Sequence, residues 1–107
     1  MLHMTGKKCS YCLLKHVSGK WKVEILFNLK DGELRMSELE HRIPEANPRV
    51  LTRQLRRLEK DGIVERKIYA EVPPKVEYSL TEYGEAMMKL LKMVNKFTVE
   101  NLEIFKK

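Results

Sequence analysis

The stretch NPRVLTRQLRRLEKDG, residues 47–62, contains a helix together with the residues that begin and end it. Asn47 suits the N-cap because its side-chain oxygen can accept a hydrogen bond from an amide of the first turn. Pro48 suits the first helical position, where the amide has no partner within the helix. Gly62 then supplies the left-handed residue with which helices commonly end. We therefore predict a helix from Pro48 to about Lys60.

The predicted helix separates apolar from basic side chains. Successive residues are about 100° apart around a helix, so residues three and four apart share a side. One side carries Leu51, Leu55 and Leu58. The opposite side carries the basic residues, with one threonine at its edge: Arg49, Thr52, Arg53, Arg56, Arg57 and Lys60. Like charges four residues apart weaken an isolated helix by about 0.2–0.5 kcal/mol per pair. Taken alone, the pattern fits either a soluble basic helix or a helix that faces a polyanion.

A shorter helix is predicted directly before this one. Ser37 and Glu40 have the S-x-x-E spacing of a capping box, which predicts a helix from Glu38 to Arg42. Pro44 closes it, because proline cannot continue a helix. Two helices joined by so short a connection predict a helix-turn-helix over about residues 37–61.

A further helix is predicted upstream, over about Lys20–Lys30. Ser18 is its expected N-cap, and Gly32 follows its end. An apolar stripe recurs every four residues along it: Trp21, Ile25 and Leu29. Another short helix is predicted before it, from about Tyr11 to Val17.

After Gly62 the chain changes to an alternation of apolar and polar residues, which is typical of strands. The two predicted strands are IVERKIYA (63–70) and KVEYSL (75–80). The prolines at 73–74 suit an exposed turn between them, because proline lacks an amide donor. We predict a β-hairpin, the wing, over about residues 63–80. Thr81 is then expected to cap a helical segment over about residues 82–105.

This last segment has more apolar surface than one small core needs. Its apolar residues alternate steps of four and three, which is the spacing with which helices pack against each other. We predict that they form a homodimer interface made of Tyr83, Met87, Leu90, Val94, Phe97, Leu102 and Phe105.

A chain of 107 residues fits one domain with one modest core. The predicted fold class is mainly α with a small β-hairpin (α+β): a winged helix-turn-helix over residues 1–107, with extra dimerisation helices at both ends. No apolar run approaches the ~20 residues of a membrane span, and no secretion signal is recognisable. We therefore expect a cytoplasmic protein without a membrane partner.

The net charge of +6 favours an anionic partner. The second helix of a helix-turn-helix enters the DNA major groove, where arginine can bind guanine or clamp phosphate, so we predict double-stranded DNA. In the wing, Arg66, Lys67 and Lys75 are expected along the flanking backbone or minor groove. Lys20 and Lys22 are weaker candidates for phosphate contacts. A dimer would bind a near-palindromic operator with half-sites about 34 Å apart.

Four segments resemble the HxlR-type winged-helix transcription regulators, which are MarR-like: SGKW (18–21), RMSEL (35–39), LTRQLRRLEKDGIVER (51–66) and EVPPKVEYSLTEYG (71–84). The resemblance spans about residues 9–91. It implies homodimeric DNA-binding repressors or activators that dimerise through their terminal helices and reach towards DNA with the wing. The family usually has Phe in place of Met36 and an Ile-Ser pair in place of Ala46 and Asn47, so the match departs there.

Two cysteines near the N-terminus leave several interpretations open. Cys9 follows Lys7 and Lys8, whose charges favour a reactive thiolate. Members of the resembled family often carry a cysteine before the first helix, and several sense oxidants or electrophiles through it. Cys9 matches that position, and Cys12 is additional. The pair is therefore either a redox sensor that answers an oxidant or small-molecule effector, or two inert thiols at a subunit interface.

A zinc site is a third interpretation, because Cys9, Cys12 and His16 have ligand-like spacing. A tetrahedral structural site needs four ligands, so His3, His41 or a second subunit would have to supply the last one. We therefore predict neither a metal nor a cofactor.

Catalysis is not expected, because the sequence has no glycine-rich phosphate loop, no H-E-x-x-H and no G-x-S-x-G. The rival to DNA binding is a winged helix that binds another protein. That rival predicts an exposed apolar patch on the hairpin or on the helix over 48–60. Because the leucines of this helix are expected to face the core, DNA is the favoured partner.

Overall fold

The computed structural model describes residues 16–105. Along the chain its elements are α1 (Lys22–Leu29), β1 (Leu34–Arg35), α2 (Met36–Arg42), α3 (Pro48–Lys60), β2 (Val64–Tyr69), β3 (Lys75–Leu80), α4 (Glu82–Glu100) and α5 (Leu102–Phe105). A helix-turn-helix followed by a β-hairpin confirms the predicted winged helix-turn-helix. Of the helix predicted from Tyr11 to Val17, only the last two residues are described, and both are helical.

Helix α3 has the predicted bounds and the predicted caps. The amide of Arg49 donates a hydrogen bond of 2.8 Å to Oδ1 of Asn47, which satisfies one of the unpaired amides of the first turn. At the other end the chain leaves the helix through Gly62, whose φ of 78° lies in the left-handed region. Because both signals are local, the sequence was sufficient to place this helix.

Helix α2 begins two residues earlier than predicted, at Met36, so the proposed Ser37 capping box is wrong. Its N-cap is Arg35, whose amide donates a 2.8 Å hydrogen bond to Oε1 of Glu38. The reason is the unpredicted strand β1. Pairing with β3 keeps Arg35 extended (φ −83°, ψ 162°), and the helix starts directly after it.

Helix α1, in contrast, starts two residues later than predicted, at Lys22, and Ser18 is not its N-cap. The chain turns at Gly19, which has a φ of 124°, and the amide of Lys22 donates to its carbonyl at 3.3 Å. Trp21 occupies the N-cap position with a left-handed φ of 80° and no side-chain capping hydrogen bond. A positive φ is uncommon for so bulky a residue. Its ring packs against the core, which explains why a tryptophan occupies this turn.

The sheet has three antiparallel strands in the order β1-β3-β2. The hairpin register pairs Arg66 with Tyr78 and Tyr69 with Lys75, so the wing is regular up to its last pair. Strand β1 is only two residues long and pairs Leu34 with Tyr78. The alternation of apolar and polar residues that predicts a strand cannot be recognised in two residues, so the sequence did not reveal β1.

One hydrophobic core joins the sheet to the helices. The leucines of α3 predicted to face inward, Leu51, Leu55 and Leu58, are each 0% exposed. Burying such a side chain contributes about 1.5–3 kcal/mol relative to leaving it in water. The core comprises Ile25, Leu26, Leu29, Leu34, Leu39, Ile43, Ala46, Leu51, Leu55, Leu58, Ile63, Val64, Tyr78, Met87, Met88 and Leu91.

Thr81 connects the end of α3 to the start of α4. Its Oγ1 accepts a 3.0 Å hydrogen bond from the amide of Gly84, as expected of an N-cap, and donates a 2.6 Å bond to the carbonyl of Gly62. Its amide donates to the carbonyl of Ile63 at 3.1 Å. The C-terminal helix is therefore held against the loop that follows the basic helix. None of the helices described in residues 16–105 is long and apolar enough to cross a membrane.

Candidate nucleic-acid interface

The basic side of α3 is presented to solvent. The side chains of Arg49, Arg53, Arg56, Arg57 and Lys60 are all exposed. Within residues 16–105 no ion pair engages any of these five charged groups. The predicted separation of leucine and arginine around this helix is therefore present, and the charge is available to an external anion.

Thr52 lies at the edge of this basic side and is half-buried. Its Oγ1 donates a 2.9 Å hydrogen bond to the carbonyl of Pro48, one turn earlier in the same helix. This hydroxyl is already satisfied by the backbone, so a phosphate contact would require it to rotate.

The three basic residues predicted in the wing are divided between its two faces. Arg66 lies on the face towards the helices, where its Nε is 3.6 Å from Oε2 of Glu59 in α3. Lys67 and Lys75 lie on the other face, because side chains alternate along a strand. The wing therefore does not present the three charges as one cluster.

Lys67 and Lys75 flank the ring of Tyr69, with their Nζ atoms 5.8 and 4.7 Å from the ring centroid. Lys75 also lies 3.4 Å from Oε2 of Glu77. The pKa of Tyr69 is raised, chiefly because its hydroxyl hydrogen bonds with the Glu77 carboxylate. Glu77 thus holds both a lysine and the phenol on the outer face of the wing.

The rival interpretation required an exposed apolar patch on the wing or on α3. On α3 the three inward leucines leave no such patch among the described side chains. On the wing, Ile68 is 61% exposed and Val72 is fully exposed. Two separated apolar side chains of this kind are ordinary on a protein surface.

The predicted dimer interface requires one correction. Met87 is 3% exposed and belongs to the core of the protomer, so it cannot line a surface. The first half of α4 packs on the core, whereas its second half extends beyond it. Tyr83 is 39% exposed, and His16 Nδ1 lies 3.0 Å from its hydroxyl oxygen. For Phe105 the structure describes only the backbone, which is helical.

Beyond Met87 the described apolar side chains of the C-terminal helices are exposed, apart from Met88 and Leu91, which lie in the core. The exposed ones include two that the sequence pattern missed, Met93 and Ile104, which fall outside the four-three spacing. We call the following set the α4–α5 apolar surface: Leu90, Met93, Val94, Phe97, Leu102 and Ile104, exposed by 38–68%.

The predicted thiol pair, Cys9 and Cys12, lies outside the described residues, as does His3. Of the histidines in the zinc interpretation, His16 uses its Nδ1 in a hydrogen bond with the hydroxyl of Tyr83, and the two rings are arranged edge to face. His41 is exposed on α2. Within residues 16–105 no three His, Cys, Asp or Glu side chains are grouped as metal ligands would be.

The order of elements and the outward basic helix define the structural class: a winged helix-turn-helix. The family model of the HxlR-like helix-turn-helix matches residues 16–105. The chain belongs to this family, which confirms the resemblance found in the sequence.

The chain is similar to proteins described as HTH-type transcriptional regulators. An uncharacterised HTH-type transcriptional regulator of Methanothermobacter thermautotrophicus is 50% identical over 78 residues, 73% of this chain and 60% of that protein. The uncharacterised HTH-type transcriptional regulator YtcD of Bacillus subtilis is 47% identical over 81 residues, 76% of this chain and 64% of that protein. The matched part of the chain thus spans less than two thirds of these relatives.

Solved structures give the same fold. The redox regulator HypR in its reduced form superposes with a TM-score of 0.85 at 38% identity, covering 91% of this chain and 96% of that one. The reduced transcriptional regulator YodB from B. subtilis superposes with a TM-score of 0.73 at 32% identity, covering 85% of this chain and 86% of that one.

Proposed function

We propose that this protein is a DNA-binding transcriptional regulator that acts in the cytoplasm as a homodimer and has no catalytic activity. The observation that carries this proposal is the outward side of α3, where five exposed basic groups have no ion pair within residues 16–105. A helix with this charge pattern is costly alone, and a polyanion offsets that cost. Membership of the HxlR-like family supports DNA as the polyanion.

In this proposal α3 is the recognition helix and enters the major groove of double-stranded DNA. Arg49, Arg53 and Arg56 point towards base edges, where a guanidinium can bind guanine O6 and N7 together. Arg57 and Lys60 lie beside them and hold phosphates. Of the wing residues, Lys67 and Lys75 lie along the flanking backbone or minor groove.

The homodimer in this proposal forms through the α4–α5 apolar surface together with Tyr83 and Phe105. Six apolar side chains that are 38–68% exposed on two consecutive helices are more than a monomer usually leaves in water. Two copies joined there would present their recognition helices to a near-palindromic operator, with half-sites about 34 Å apart.

The test is the salt dependence of DNA binding, measured by fluorescence anisotropy with operator and random duplexes. Phosphate contacts release counterions, so affinity should fall steeply as salt rises, with a slope of about 0.9 per contacted phosphate. Tighter binding to operator than to random DNA is expected as well. No binding to either duplex at low salt would overturn the proposal and favour the rival, a protein-interaction module.

We also propose that Cys9 and Cys12 make the protein redox-responsive, because HypR, which it resembles over 91% of this chain, is a redox regulator. Diamide takes two electrons and two protons from a pair of thiols and leaves one disulfide. The expected result is a diamide-induced change in operator affinity that dithiothreitol reverses and that Cys9→Ser abolishes. Cys12→Ser separates a partner within the chain from one in the second subunit, read on a non-reducing gel. Unchanged affinity after diamide would leave the two thiols inert.

A further inference from the structure

Lys22, the first residue of α1, is buried although it is charged. It is 6% exposed, and it is the one charged side chain buried to this degree among residues 16–105. Its stem folds back over Gly19: a Cβ placed on that glycine would lie 3.4 Å from Cε of Lys22 and 3.5 Å from Cδ. Side chains of a helix lean towards its N-terminus, which is the direction this lysine takes.

The ammonium of Lys22 has no anionic partner in the described part of the chain. No ion pair or hydrogen bond from it is present within residues 16–105. No fully buried side-chain nitrogen or oxygen there is left unsatisfied, so the ammonium keeps an edge in contact with solvent while its stem is buried. Glu24, the acidic residue of the first turn, lies about 200° away around the helix.

The same position is the N-terminus of an eight-residue helix. No side chain caps it at Trp21, and the positive end of the helix dipole adds to the charge of Lys22. An anion placed there would meet both the ammonium and amides of the first turn. Lys20 is adjacent, with its Nζ 5.1 Å from the ring of Trp21.

This N-terminus lies beside the recognition helix. A Cβ on Gly19 would lie 3.7 Å from Oε1 of Gln54, which is in the middle of α3. Gln54 lies on the flank of α3 between its inward leucines and its outward arginines, and Arg57 follows three residues later on that flank. A DNA strand that borders the major groove occupied by α3 passes along such a flank.

We propose that Lys22 and the N-terminus of α1 form a seat for one DNA backbone phosphate beside the major groove. This inference rests on the proposed DNA-binding function and adds a positioning contact to it. The packed stem already fixes the side chain, so binding costs less side-chain entropy than it does for an exposed lysine. Gly19 supplies the φ of 124° with which the chain turns under that stem.

The test compares Lys22→Met, which keeps the buried stem without the charge, with Lys22→Gln as a second neutral variant and Lys22→Arg as the charged one. The matched control is Lys30→Met, since Lys30 lies at the far end of α1 and pairs with Asp31 at 2.9 Å. Affinity for operator and random duplexes is measured from 50 to 200 mM salt, after melting curves show which variants fold. For the two neutral variants, the slope of log affinity against log salt should be smaller by about 0.9, the contribution of one phosphate, on both duplexes. Between 50 and 200 mM salt, their affinity should therefore fall about 3.5-fold less than that of the wild type.

A second arm replaces single operator phosphates by neutral methylphosphonates. One replacement flanking the major groove should weaken binding of the wild type and of Lys22→Arg, and leave Lys22→Met unaffected. Inorganic phosphate at constant ionic strength should not compete, because the seat takes a phosphate of the DNA backbone.

The results separate this inference from the function on which it rests. A wild type that binds no DNA at low salt overturns both. If replacing Arg53 weakens DNA binding but the neutral Lys22 variants keep the full salt dependence of the wild type, only the phosphate seat is overturned. Failure of both neutral variants to fold would assign Lys22 a structural role and overturn the seat as well.

Discussion

Nε of Arg66 in the wing lies 3.6 Å from Oε2 of Glu59 in the last turn of the recognition helix. Both side chains are partly exposed, so the pair adds little to stability. The ion pair matters because it links the wing to the recognition helix, the two elements expected to contact DNA. It also neutralises Arg66, which would otherwise be available to a phosphate.

Replacing Glu59 by Gln should therefore strengthen DNA binding. The change removes a negative charge beside the phosphates and frees Arg66 to contact one of them, which should steepen the salt slope by up to about 0.9. Anisotropy titrations across a salt series measure this. Glu85→Gln on α4 removes the same charge at an exposed position outside α3 and the wing and should change nothing. Weaker binding by Glu59→Gln would mean that the pair is needed to position the wing.

Arg53→Ala and Arg56→Ala should each weaken operator binding by about 1–3 kcal/mol if these side chains read bases. Both are exposed and unpaired within residues 16–105, so the folded state should not be affected. If the arginine contacts a base, its replacement lowers affinity for the operator more than for random DNA. If it contacts a phosphate, the replacement lowers both affinities equally. The ratio of the two affinities decides the role of each arginine.

Val94→Asp should convert the dimer to a monomer. Val94 is 51% exposed on α4, so a charge there is tolerated in the protomer but would be buried without a partner in the dimer. Sedimentation equilibrium at micromolar concentration should give the mass of two chains for the wild type and of one for the variant. Asn95→Asp adds a similar charge at the next position and should remain dimeric. A monomeric wild type would refute the proposed interface.

Gly84→Ala should destabilise the protein. An added Cβ would overlap the carbonyl oxygen of Ile63, which already accepts the amide of Thr81. Overpacking of this kind costs about 1–3 kcal/mol, and each kcal/mol lowers the Tm of a chain this size by roughly 4–8 °C. The neighbouring exposed residue provides the comparison, since Glu85→Ala should stay within about 0.5 kcal/mol of the wild type. Equal melting temperatures for the two variants would contradict the close approach.

The phenol of Tyr69 should ionise only above its ordinary pKa of about 10. Its pKa is raised chiefly because its hydroxyl hydrogen bonds with the Glu77 carboxylate. For an acid with a raised folded-state pKa, the stabilising contribution is complete below the unfolded pKa and disappears as pH rises through the folded one. Ultraviolet titration of the phenolate, with Tyr69→Phe as reference, should show a lower pKa for Tyr69 in Glu77→Gln. No difference between wild type and Glu77→Gln would exclude this hydrogen bond.

Much of the architecture could be predicted because its signals are local. The caps at Asn47 and Thr81 were predicted correctly, since each is formed by a side chain and amides two or three residues away. The caps at Ser18 and Ser37 were not. There the start of the helix depends on a glycine turn and on a two-residue strand, and the partner of that strand lies more than forty residues later in the chain.

The sequence by itself determined the order of the elements and the two sides of the recognition helix, because helical periodicity places Leu51, Leu55 and Leu58 opposite the arginines whatever surrounds them. Only the tertiary structure decided which residues that the sequence places at the surface are in fact buried. Met87 enters the core while Leu90 stays outside, and the stem of Lys22 is covered although the residue is charged. Burial depends on elements distant in the chain that pack at that point, and no local pattern contains that information.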